Sequence, residues 1–95
     1  MANSNINILQ EMREELNNGE RKCVIKMETR GSDAFTLDVT VREIECVNDT
    51  VVIYTEPGEF LFDTRTTAWE IIDDDEWKTY KINEEDGNFY CFCFV

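Results

Sequence analysis

The apolar residues of this chain change period once. Ile8, Met12 and Leu16 recur at i, i+4 and i+8, with Ile6 and Leu9 flanking the stripe. Glu11, Glu14 and Glu15 take the other side. Asn5 or Asn7 can cap this segment, and Asn17-Asn18-Gly19 stops it, so a helix over about residues 5–17 is predicted.

After Gly19 the period becomes two. Cys23, Ile25 and Met27 share one face, opposite Lys26 and Glu28. Gly31-Ser32-Asp33 reads as a turn. In AFTLDVTV, Phe35, Leu37, Val39 and Val41 point in while Thr36, Asp38 and Thr40 point out. The parity then slips, because Ile44 and Cys46 are the next apolar positions. One extra residue near Arg42–Glu43 restores the inward face, which predicts a β-bulge or strong bend there.

Val51–Tyr54 is a short strand, Glu56-Pro57-Gly58-Glu59 a turn, and Phe60–Phe62 the next strand. Residues 63–67 connect to Ala68–Ile72, which is strand or a short helical turn. Trp77–Ile82 and the closing FYCFCFV run then form a hairpin around an acidic loop, Asn83–Asn88. The closing strand is apolar on both faces. It must therefore be central, or hide one face against the helix or a partner.

The predicted class is α+β: one N-terminal helix followed by a strongly bent antiparallel sheet of five to seven short strands, or a small barrel. The order of elements looks like the Sm-like barrel arrangement, an analogy of fold alone. Ninety-five residues without repeats or a long linker predict a single domain over 1–95.

Charge changes the picture more than composition does. The formal net charge is −12. Residues 1–30 hold five acids and five bases, so the excess lies in residues 31–95, with sixteen acids and four bases. From Gly31 to Thr64 the only base is Arg42, against eight acids. Such a field repels nucleic acid, anionic lipid and acidic substrates and attracts basic surfaces. Solubility is the plain alternative, although surfaces of small domains usually carry a net charge of magnitude about 2–8.

The candidate chemistry is sparse. The four cysteines, Cys23, Cys46, Cys91 and Cys93, have neither zinc-ligand spacing nor a histidine beside them. They read as buried, unbridged thiols at inward strand positions. The N-terminal stretch lacks a basic region before a long apolar run, so no signal peptide is predicted and the expected location is the cytoplasm of a host cell. Asp73, Asp75 and Glu84 imitate positions of a calcium loop, but Trp77 and Lys78 stand where a ligand and a glycine are needed. No nucleophile has a base, and the clustered carboxylates lie in wet loops, so no enzyme activity, cofactor or metal is expected.

Two acidic clusters remain: Asp73, Asp74, Asp75 and Glu76, and Glu84, Glu85 and Asp86. In overall character the chain resembles small phage-encoded anti-defence proteins, anti-CRISPR inhibitors in particular. The features that carry the resemblance are length, an acidic final two thirds, the DDDE and EEDG clusters, and a short helix before strands. The resemblance implies a basic partner, a nucleic-acid-binding enzyme such as a CRISPR nuclease, with no direct contact to nucleic acid or membrane. The expected function is that of a decoy whose carboxylates imitate phosphates. Asp73–Glu76 and Glu84–Asp86 lie about 20 Å apart along a strand. Glu56 and Glu59 extend the row, and Trp77 and Tyr80 anchor the contact. The alternative is an interaction module that works through exposed aromatics, including a homodimer paired through the last strand, with charge serving solubility.

Overall fold

The switch from helical to strand period falls where the structure changes. The structure, a computed structural model, describes residues 4–29, 34–73 and 76–95. Helix α1 spans Ser4–Glu14 and continues as turns to Gly19, whose φ of 102° needs a residue without a Cβ. Seven strands follow: β1 Arg21–Glu28, β2 Ala34–Val47, β3 Thr50–Glu56, β4 Gly58–Asp63, β5 Thr67–Asp73, β6 Lys78–Glu84 and β7 Phe89–Phe94. Ala68–Ile72 is therefore strand. Among the described residues no helix is long and apolar enough to cross a membrane.

All seven strands form one antiparallel sheet in the order β4-β3-β2-β1-β7-β6-β5. Closure into a barrel does not occur. The order nevertheless makes β4 and β5 its two edges, and only Thr64–Thr66 separates them in the chain. The sheet must curl until its edges meet at that corner.

The curl is legible in β2. Its register against β3 shifts between Val41 and Glu43, so Arg42 is the extra residue the parity slip required. Ile44 returns to the buried face opposite Ile53. Only Thr40 and Val41 pair with both β1 and β3, which makes them the corner at which the sheet folds over.

Folding over brings β4 against β7 and β5. The Phe62 ring meets Tyr90 edge-on at 5.1 Å and Trp69 at 6.3 Å, and Phe60 meets Phe92 at 5.7 Å. These aromatics join Ile25, Val41, Val51, Ile53, Tyr80 and Ile82 in one core, to which α1 adds Leu9 and Met12. The seam between β4 and β5 is bridged by side chains where no ladder bonds bridge it.

Asn5 has a different task from the predicted cap. Its Nδ2 donates to the carbonyls of Thr67 (2.9 Å) and Thr64 (3.1 Å), and its Oδ1 accepts from the Trp69 amide at 3.1 Å. One side-chain amide thus offers the edge of β5 the donor and acceptor that a neighbouring strand would offer.

The closing strand is central, flanked by β1 and β6, so it cannot pair with another copy. Its inward face (Tyr90, Phe92, Phe94) fills the core. Cys91 and Cys93 point outward and are half-buried, a correction to the expected inward thiols. Cys46 has the inward parity but lies exposed at the end of β2, and only Cys23 is buried. All four thiols are free. Phe35 and Leu37 also have inward parity, yet both are exposed because β3 stops short of them.

Replacing Asn5 by Ala should remove three hydrogen bonds at the seam and cost about 2–3 kcal/mol in urea unfolding. Asn5→Asp should fall between, since it keeps the acceptor for Trp69 but loses both donors. A loss under about 0.5 kcal/mol for Asn5→Ala would show that the seam holds without it.

Candidate functional site: an acidic strand face

The bulge at Arg42 decides which carboxylates share a surface. After it, Glu43 stands opposite Tyr54, which stands opposite Glu59, in one row across β2, β3 and β4. The next row on the same outer face is Glu45, Val52 and Leu61. Glu56 stands on the same outer face, before the bulge, opposite Thr40. Strands lie about 4.8 Å apart, so Glu43 and Glu59 flank Tyr54 at roughly 10 Å from each other.

Four carboxylates therefore share one rigid face, with Arg42, Arg13 and Lys22 at its margins. Arg42 reaches Glu56 and Glu20 only loosely, both at 3.8 Å, and its side chain is well exposed. The Tyr54 phenol is held above its ordinary range, first by its hydrogen bond to Glu45, then by burial, then by the charges of Glu45, Glu59 and Glu43. That shift is the local signature of the crowding.

Of the two acidic clusters, Asp73 and Glu76 lie towards one end of β6 and Glu84–Asp86 at the other, and several of these acids are less available than expected. Asp74 and Asp75 lie outside the described residues. Asp73 is exposed and pairs in register with Lys78, while Glu76 and Trp77 are exposed in the turn. Tyr80 is no surface anchor. It is 1% exposed, and its hydroxyl donates to Glu15 at 2.8 Å, tying β6 to the helix. The reason is parity, since Tyr80 and Ile82 share the inward face of β6.

At the other end, two of the three acids serve the hairpin itself. Asp86 accepts from the Asn88 amide at 3.0 Å and from its side chain at 3.3 Å, which closes the turn. Glu84 is half-buried and accepts a hydrogen bond from Tyr90. Only Glu85 is a fully displayed carboxylate of that cluster. Glu70, on the outer face of β5 and bonded to Asn83 at 3.2 Å, lies between the two ends.

The sequence reading missed Glu43 and Glu45. Their signal was present in the parity slip, because a bulge that returns Ile44 and Cys46 to the core turns both glutamates outward beside Tyr54. Glu56 and Glu59 belong to this face and not to a row with Asp73–Glu76. Among the described residues no three metal-ligating side chains converge. No protein-family model matches the chain, and neither a curated protein nor a solved structure matches it.

Two outcomes are expected. Burial, then the charge of Asp86, raises the Glu84 carboxyl above its ordinary 4.5, against the hydrogen bond from Tyr90 that lowers it. The folded state then binds this proton more tightly than the unfolded chain. Its contribution to stability is present below about pH 4.5 and is lost as pH rises through the folded pKa. Glu84→Gln should flatten that part of the stability–pH curve and leave the protein at least as stable at pH 7, measured by thermal melts from pH 4 upward. Separately, burial pushes the Cys23 thiol up to about 12. Alkylation of the native protein at neutral pH should modify Cys46 first and leave Cys23 untouched until the protein unfolds, as peptide mass mapping would report.

Proposed function

We propose that this protein is an acidic inhibitor that occupies the nucleic-acid-binding surface of a basic partner. The observation that carries the reading is the Glu43–Tyr54–Glu59 row, with Glu45 and Glu56 beside it, on a rigid strand face whose nearby cations are Arg42, Arg13 and Lys22. Duplex DNA presents one charge per about 1.7 Å of axis, so twelve uncompensated carboxylates correspond to roughly 20 Å of duplex. That length fits within the largest dimension of the protein, 34 Å. Carboxylates fixed on strands keep their spacing when they meet a basic groove, and each contact releases counterions from it.

Tyr54 takes the anchoring place that Tyr80 cannot fill, as an aromatic ring partly shielded at the centre of the charged patch. Asp73, Glu76 and Trp77 at one end of β6 and Glu85 at the other supply outlying contacts. The partner class is a DNA- or RNA-binding enzyme, and a CRISPR nuclease is the one that the resemblance to anti-CRISPR inhibitors suggests.

The test is capture of basic nucleic-acid-binding proteins by the immobilised chain at low and high salt, followed by competition with duplex DNA. Binding should weaken steeply with salt, and DNA should compete. Glu43→Gln with Glu59→Gln should lower affinity tenfold or more, at about 1.5 kcal/mol for each close charge pair lost, with the fold retained. Asp73→Asn with Glu85→Gln should cost less. Affinity that is independent of salt and unchanged in the Glu43/Glu59 variant would refute the reading.

A further inference from the structure

We infer that the unpaired half of β2 is a docking edge for a second copy of this chain. β3 pairs with β2 only from Thr40 onward, so among the described residues Ala34–Val39 has β1 on one side and no strand on the other. Ala34 to Asp38 are exposed on both faces of the sheet, and Phe35 and Leu37 are 50% and 40% exposed. An apolar strand with an open ladder is a template for another strand.

The direction of the open groups follows from the register. The Val95 amide donates to the Lys22 carbonyl at 3.1 Å, so the even residues of β1 address β7 and the odd ones address β2. Their β2 partners, Phe35, Leu37 and Val39, spend their backbone groups on β1. Ala34, Thr36 and Asp38 therefore turn their N–H and C=O groups to the open side.

This edge is complementary to itself. With a two-fold axis between the Thr36 residues of two copies, Ala34 faces Asp38, Thr36 faces Thr36, and Phe35 faces Leu37. Three hydrogen-bonded pairs give about six backbone bonds, apolar meets apolar, and no like charges stand directly opposed.

Charge opposes a second copy less at this edge than elsewhere on the chain. Two chains at −12 repel, yet β1 and residues 34–41 of β2 carry Arg21, Lys22 and Lys26 against Glu28 and Asp38, a sum of +1. The other residues together carry −13, since −13 and +1 give −12. Two copies meeting along β2 keep their acidic faces apart, and the Glu43–Tyr54–Glu59 row remains open on both.

Sedimentation equilibrium across the micromolar range tests this, since a single strand pair is a small interface of modest affinity. The wild-type mass should rise from 11.2 kDa towards twice that value. Added salt should tighten the dimer by screening repulsion, the opposite of its effect on decoy binding, so the two ideas fail separately. Thr36→Pro removes an N–H that β1 does not use and should leave a folded monomer, whereas Thr36→Val should dimerise like the wild type. Leu37→Lys gives a second variant with its backbone donors intact and should weaken association at least tenfold. Circular dichroism and melting verify each fold. A wild-type chain that stays monomeric throughout, including one that binds an extended apolar peptide instead, overturns the inference. So does dimerisation of Leu37→Lys, or of folded Thr36→Pro, at wild-type strength.

Discussion

A seven-stranded sheet that curls until its edges touch, without pairing them, leaves backbone groups that something must satisfy. Everything else in this fold is arranged around that seam. The short Thr64–Thr66 connection forces β4 and β5 together at one corner, yet no ladder joins them. Asn5 answers with one amide bonded to three backbone groups of the corner, and α1 follows because Asn5 stands in its first turn. Once there, the helix drops Leu9 and Met12 into the core and holds Tyr80 and Arg21 through Glu15. The Phe62, Trp69 and Tyr90 rings close the interior side of the same gap. Side chains thus replace the hydrogen bonds that a closed barrel would make.

The bulge at Arg42 is the second constraint, and it has two consequences. A strand of 14 residues cannot follow a tightly curled sheet without a bend, and the bend divides β2 between two neighbours. Beyond it, the change of parity sends Glu43 and Glu45 outward to Tyr54. Before it, β3 has already turned away at Pro57, so Ala34–Asp38 keeps an open edge. The acidic face and the open edge thus lie on opposite sides of the bend, the first set by the bulge and the second by the end of β3.

Much of this was legible in the chain. The helix, a sheet of five to seven strands, the bend and the β6–β7 hairpin follow from period and parity, because a buried face leaves little freedom of register, whereas Ala68–Ile72 read equally as strand or helical turn. The two apolar faces of β7 left it either central or covered by the helix or a partner, and pairing with β1 and β6 makes it central. What did not follow was strand order beyond neighbours, since nothing in the local pattern says that β1 will pair with β7. That one pairing decides which inward positions are covered. Tyr80 is deep because β6 lies beside the helix. Phe35, with the same kind of parity, is exposed because no strand comes to cover it. The availability of carboxylates was equally hidden. Glu84–Asp86 looks like one charged tip in sequence, but Glu84 is tied to Tyr90 and Asp86 closes the turn.

The contrast between loop and strand acids bears on what the charge is for. A carboxylate that serves only solubility has no reason to stand beside others on a rigid surface, where its distance from its neighbours is fixed. Loops relieve repulsion by moving or by bonding their own backbone, as Asp86 does. Glu43, Glu45 and Glu59 stand on strands instead, with Glu45 bonded to the Tyr54 hydroxyl. The sheet fixes their spacing around a tyrosine whose phenol they make harder to ionise. Retaining that repulsion in the folded state costs stability, and a basic surface pressed against the face would remove the cost on binding. The charge density that would weaken the isolated fold would then strengthen a complex with a basic surface, because the strands hold it in place.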